Sequence, residues 1–190
     1  MNKIVFDLET SGLPIRKGFD DYFDPSLVHC YNSSRIVQLG YIVMDEKNKE
    51  IKRYSSIIIP KDFEINNEHI HNISQEKALK DGKPLGDILK VFFQDVKTSR
   101  LLISHNIKFD FNILMSELYR AGLNNMIKEF GNKKLYCTMN ESKKKYNLNK
   151  TPKLIELFSY LYQGKKWEQI HDALDDAECC MLCYVKIQEI

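Results

Sequence analysis

Asp7 and Glu9 stand two residues apart in a segment, IVFDLE, whose other members are Ile, Val, Phe and Leu. On an extended strand, side chains two apart leave the same face, so both carboxylates project together from an apolar strand. Burial would strip hydration from two like charges, at a cost of several kcal/mol per ion unless something compensates. A surface strand with an acidic face is the plainer alternative. Asp110 precedes Ile113 and Leu114 by three and four residues, which puts its carboxylate on the inward face near a helix start. The helix dipole favours an anion there by ~0.3–1 kcal/mol, and that effect alone would account for it. In HDALDDAECC, the residues Ala173, Ala177, Cys180, Tyr184 and Ile187 form one helical stripe, and Asp176 falls inside it. Asp172 suits the N-cap and Asp175 the third helical position of a partial capping box, which explains those two acids but leaves Asp176 facing the core.

Four carboxylates drawn to one place would form an all-oxygen ligand set, suited to Mg²⁺ or Mn²⁺ rather than zinc, and two such ions would neutralise them. His171 lies in the turn before the last helix. On a continuous helix it would point about 140° away from Asp176, but from a turn it can lean over the same site. There it is either a hydrogen-bonded structural residue or a base near neutral pH. Cys180 and Cys183 make one CxxC on a predicted helix with no matching second pair, and His69 and His71 have no further ligands beside them, so no zinc site is expected.

The elements that must position these groups follow from periodicity. Lys3 to Leu8 reads as a buried strand, residues 10–34 as a long loop punctuated by Gly12, Pro14, Gly18, Pro25 and Ser33, and Arg35–Met44 with Ile51–Ile59 as a hairpin. Ser74 can cap a short helix, and Leu85, Ile88, Leu89, Phe92 and Val96 mark a longer one. Leu101–Ser104 is a short strand, and the helix carrying Ile113, Leu114, Leu118 and Ala121 should end near Gly122. A last strand at Leu135–Cys137 precedes helices at Leu154–Leu161 and Ala173–Ile190. Strands early and helices late, with crossovers between, indicate an α/β sheet with helices packed on it.

The 190 residues fit one domain, 1–190, with 14–34 as an insertion loop. An apolar fraction of 43%, with ten Phe and ten Tyr, excludes a disordered chain. Five unevenly spaced cysteines argue against a disulfide framework, MNKIVFDLE places acids where a signal peptide needs apolar residues, and no run spans a membrane; a soluble, intracellular protein of cytoplasm or nucleus is expected. The net charge of +2 hides an asymmetry: nine Lys face two Glu between Lys133 and Lys166, while the rest carries 19 basic and 24 acidic residues. A basic quarter beside an acid cluster suits a phosphate-binding surface, and its lysines alternate with Tyr136, Tyr146, Tyr160 and Tyr162, a mixture that can hold single strands. Lys143, Lys144 and Lys145 are the expected substrate contacts there.

The segments FDLETSGL (6–13), SHNIKFD (104–110) and HDALDDA (171–177) resemble, in order, the three motifs of the DEDDh family, the DnaQ-like 3′-to-5′ exonucleases. RIVQLGYIV resembles that family's second strand, and IPKDFEINNEHIHNIS its "IHGIT" turn. The resemblance runs from residue 3 to about 187 and implies an RNase H-like fold, a central mixed five-stranded sheet flanked by helices. It implies that Asp7, Glu9, Asp110 and Asp176 bind two divalent cations about 4 Å apart, with Asp7 bridging them and His171 as general base. Nucleoside 5′-monophosphates would leave one at a time from 3′ ends. Thr10, Ser11, Gly12 and Leu13 would cradle the terminal nucleotide, Leu13 as a wedge, with Phe109 stacking and Asn106 and His71 as further contacts. The implied partner is a nucleic-acid 3′ end, DNA ahead of RNA, with any polymerase engaged in trans. RNA or short-oligoribonucleotide trimming, and a binding module without catalysis, are the alternatives. Three departures stand out: the long loop with Phe19, Tyr22 and Phe23, Asn72 in place of a common glycine, and Ser11 in place of a common threonine.

Overall fold

The computed structural model describes residues 1–18 and 20–189; Phe19 of the insertion and Ile190, the expected end of the last helix, lie outside the described residues. Five strands form the expected mixed sheet. β1 (Asn2–Thr10) is central, antiparallel to β4 (Ile36–Met44) and parallel to β6 (Ser99–Ser104). β5 (Glu50–Ile57) completes the antiparallel hairpin and β7 (Lys134–Cys137) lies parallel to β6 on the other edge. All nine residues of β4 are buried, as a continuous apolar run covered on both faces requires.

Alternation along β1 divides the molecule. Ile4, Phe6 and Leu8 face a core shared with α3 (Leu85–Thr98), α4 (Ile107–Arg120) and α5 (Asn124–Gly131). Val5 faces the opposite way, with Ile42 and Ile103, onto α7 (Leu154–Leu161) and α8 (Ala173–Glu189). Asp7 and Glu9, sharing Val5's parity, therefore point to the α8 side. α4 ends as expected, Ala121 closing it before Gly122 at φ 65°.

Elements the sequence reading passed over are short or lack an apolar stripe. α1 (Glu68–His71) is one turn, whereas α2 (Gln75–Asp81) is the short helix expected after Ser74, which caps it. α6 (Thr138–Lys145) buries only Thr138 and Ser142, so no hydrophobic period announces it. Residues 14–34 are not a plain loop: β2 (Arg16–Gly18) and β3 (Asp21–Tyr22) pair as a small hairpin, and Val28–Tyr31 forms a 3₁₀ turn. Strands of two or three residues carry too few side chains to show a period. This insertion is tied along α4 from its first turn, where Lys108 meets Asp20 at 3.0 Å, to its last, where Arg120 donates to Val28 O at 2.9 Å.

Candidate active site

Asp7, Glu9 and Asp176 each present a carboxylate oxygen within 4.8 Å of the others. Asp110 lies outside that trio yet is buried beside it: of the neighbouring charges it acts most strongly on Asp7. β6 ends at Ser104, two residues short of the position that would align with Leu8, and the Asp110 carboxylate reaches this stretch of β1 instead. It accepts from the Leu8 backbone N–H and from the Ser104 hydroxyl. The four acids thus meet at the C-terminal end of β1, delivered by one strand and the first turns of two helices.

The arrangement opposes ionisation. Burial first, and the neighbouring carboxylates second, push Asp7 well above the usual range, and Glu9 up to about 8. Asp110 and Asp176 are also raised by burial, partly offset by the Ser104 and Gln169 hydrogen bonds respectively. Oxygen donors this dense, with negative charge this poorly hydrated, fit a hard divalent cation.

α8 reaches the cluster because β4 makes room for it. Gly40 is paired opposite Asp7, and a Cβ there would stand 2.3 Å from the backbone of Ala173 and Leu174. Two residues back, the Gln38 amide donates to Asp172 at 2.6 Å and its carbonyl accepts from Ala173 N at 3.1 Å. Asp172 caps the helix, as its type and place suggest, accepting from Leu174 N at 2.9 Å. Asp175 does not complete the capping box; it accepts from the Trp167 indole at 2.9 Å. Glycine within a strand signals close backbone approach, and glutamine within an apolar run signals a polar task, so Gly40 and Gln38 were legible but went unread. Gln169, whose amide bonds Asp176, had no such signal.

His171 is exposed with φ 51°, directly before Asp172, and its charge acts on Asp176. The turn at Thr10–Leu13 is stapled to the start of β4. Ser11 N donates to Arg35 O at 2.9 Å, Ser33 donates to Leu13 O at 2.7 Å, and a Cβ on Gly12 would meet Ser33 O at 2.6 Å. Thr10 turns its hydroxyl back on Gly12 O, and Leu13 is left 62% exposed. Asn106 opens α4 in a left-handed conformation against Tyr22 of the insertion, and Phe109 packs partly into the core below it.

Two sequence-derived groups lie elsewhere than expected of substrate contacts. His71 is 3% exposed with both ring nitrogens engaged, Nδ1 accepting from Ile73 N and Nε2 bonded to Asn67, whose amide donates to Thr10 O at 2.7 Å. Its ring braces the turn from behind. Lys145 donates to Ile187 O at 2.6 Å, so the Lys143–Lys145 cluster sits by the last turn of α8, roughly 16 Å along the helix from Asp176. Of the remaining lysines in the basic stretch, Lys153 follows Pro152, whose carbonyl accepts from His105 at 3.0 Å, and Lys150 pairs with Glu156 at 3.1 Å. His105 is half-buried, and desolvation of its ring pushes its pKa down to about 4; it also bonds Thr138 at 2.9 Å. Of the four tyrosines in the basic stretch, Tyr160 alone is exposed; Tyr136 meets Tyr184 edge-on and Tyr162 stacks on Phe158. No helix among the described residues is long and apolar enough to cross a membrane.

The RNase_T family model, described as Exonuclease, matches residues 4–184. No curated protein sequence matches the chain. Among solved structures the chain is similar to exonuclease X in complex with 5′-overhanging duplex DNA, at 17% identity and TM-score 0.65, over 98% of this chain and 91% of that one. It is similar to E. coli exonuclease I in complex with a dT13 oligonucleotide, at 16% identity and TM-score 0.72, over 99% of this chain and 41% of that one. Exonuclease I from Methylocaldum szegediense matches at 17% identity and TM-score 0.75, over 99% of this chain and 40% of that one. The chain spans about two-fifths of those exonuclease I chains, and at these identities the likeness is one of fold.

Proposed function

The chain belongs to the exonuclease family, in its DEDDh, DnaQ-like branch with an RNase H-like fold, and on that premise we propose that it hydrolyses DNA from the 3′ end, releasing nucleoside 5′-monophosphates. What carries the reading is the convergence of Asp7, Glu9 and Asp176 within 4.8 Å, with Asp110 beside them, all four raised in pKa by burial. That donor set would hold two Mg²⁺ or Mn²⁺ ions. When bound, such ions activate water for attack and stabilise charge on the leaving 3′ oxygen. His171, exposed at the rim, takes the proton of the attacking water. The stapled turn Thr10–Leu13 receives the terminal nucleotide, Leu13 against its base, and Asn106 and Phe109 line the opposite side. His71 acts indirectly, through Asn67 and the Thr10 carbonyl. Lys153, next to the Pro152 that bonds His105, meets the phosphate backbone of the strand, whereas Lys143 to Lys145, by the last turn of α8, reach only a longer strand. DNA is placed ahead of RNA because exonuclease X and exonuclease I are seen with DNA.

The test is a time course on 3′-labelled and 5′-labelled single-stranded DNA, duplex DNA and RNA with Mg²⁺ or Mn²⁺. Mononucleotides should appear from the 3′ end, faster from DNA, and chelation should stop the reaction. Release from the 5′ end, or activity indifferent to chelator, would overturn the proposal. His171→Ala should lower kcat by about 10²–10⁴ with KM nearly unchanged.

A further inference from the structure

Gln169 approaches the acid cluster from the short segment that joins α7 to α8. Its amide nitrogen donates to both oxygens of Asp176, at 3.0 and 3.2 Å. A donor nearly equidistant from the two oxygens lies close to the bisector of the carboxylate, the direction from which a cation is chelated. The same atom cannot stay there once an ion occupies it.

The surroundings of Gln169 make that displacement consequential. Upstream, Trp167 is fixed by its indole bond to Asp175 and its edge-on packing against Phe158, with centroids 5.1 Å apart. Downstream, Asp172 is fixed by Gln38 and by its own cap. Between them, among the described residues, the bonds of Gln169 to Asp176 are the only hydrogen bonds that hold 168–171, the stretch that includes exposed His171. We infer that Gln169 is a displaceable latch: it occupies the Asp176 carboxylate when no cation is bound, and cation binding at Asp176 releases the 168–171 segment. The inference rests on the two-ion reading above and concerns which residue of this chain competes with the ion.

Trp167 is the only tryptophan of the chain and lies two residues from the latch, so its emission reports on the segment. The experiment titrates the full chain with Mg²⁺ alone, following Trp167 fluorescence and, in parallel, heat by calorimetry. It compares the native sequence with Gln169→Ala and with Gln169→Met, which keeps the length but has no donor; thermal melts confirm that each variant folds. The native chain should show a saturable change in emission. Both variants should bind Mg²⁺ about tenfold more tightly, equivalent to ~1.4 kcal/mol, and their cation-free emission should already resemble that of the loaded native chain. Weaker binding in the variants would mean that Gln169 orients Asp176 for the ion and would overturn the latch. Calorimetric binding with no change at Trp167 would overturn it too. An absence of Mg²⁺ binding to the native chain would instead overturn the two-ion reading itself, taking the latch with it.

Discussion

Asp7 is under two opposing demands. A half-buried, poorly hydrated carboxylate among three others costs stability, and desolvation with the charge of Asp110 accordingly drives its pKa far up. The same crowding makes a divalent cation welcome. Asp7→Asn removes one charge without removing volume, so in chelator the variant should melt higher than the native protein. With Mg²⁺ present it should release nucleotides at least about a thousandfold more slowly, since several kcal/mol of charge stabilisation in the transition state would be lost. Binding of a 3′-ended oligonucleotide should change little. A variant that melts lower in chelator, or cleaves at the native rate, would contradict this account. At this scale the sequence was highly informative, because a D-x-E on an apolar strand and an aspartate inside an apolar helical stripe are anomalies that burial must explain. It was uninformative for His71: nothing in IHNIS says that both ring nitrogens are used inside the protein.

What brings Asp176 to Asp7 is the fit of α8 on β4. Gly40 admits the helix backbone, and Gln38 holds its first turn by hydrogen bonds to Asp172 and Ala173. Gly40→Ala would place a methyl group 2.3 Å from backbone atoms that cannot rotate away, so the start of α8 must shift. The expected loss is about 1–3 kcal/mol of stability, seen as a lower denaturant midpoint, together with a large fall in activity because Asp176 moves with its helix. An unchanged midpoint and rate would show that α8 does not depend on this close approach. Gln38→Ala should cost about 1–3 kcal/mol by leaving buried polar partners unmatched, with a smaller effect on rate. Strong periodicity made β1, β4, β5, α3, α4, α7 and α8 readable at nearly their observed bounds. α6 and the β2–β3 hairpin were not, the one for want of an apolar stripe and the other for want of length.

Across the molecule, the acid cluster ties stability to pH. A carboxylate whose pKa is raised on folding binds its proton more tightly in the folded chain, so its contribution is present at low pH and lost as pH rises towards the folded value. For Glu9 that window runs from its ordinary 4.5 to about 8. His105, lowered to about 4 from 6.5, works in the opposite sense, costing stability as pH falls through that range. The two overlap below 6.5, which leaves pH 6.5 to 8 as the window where the acids should dominate. Thermal scans in chelator should therefore show Tm falling across it. In Mg²⁺ the fall should vanish or reverse, because the ion binds the deprotonated folded state. A Tm in chelator that rises over that window would refute the linkage. By itself the sequence determined which residues alternate into the core, which acids leave which face, and where strands and helices lie, because backbone geometry makes each a local property. Only the tertiary structure decided which groups meet. It set Lys143 to Lys145 at the far end of α8, turned His71 inward, and brought Gln169 onto Asp176. Distances between elements depend on how helices seat on the sheet, and that depends on close approaches such as Gly40 against Ala173, which no single segment encodes.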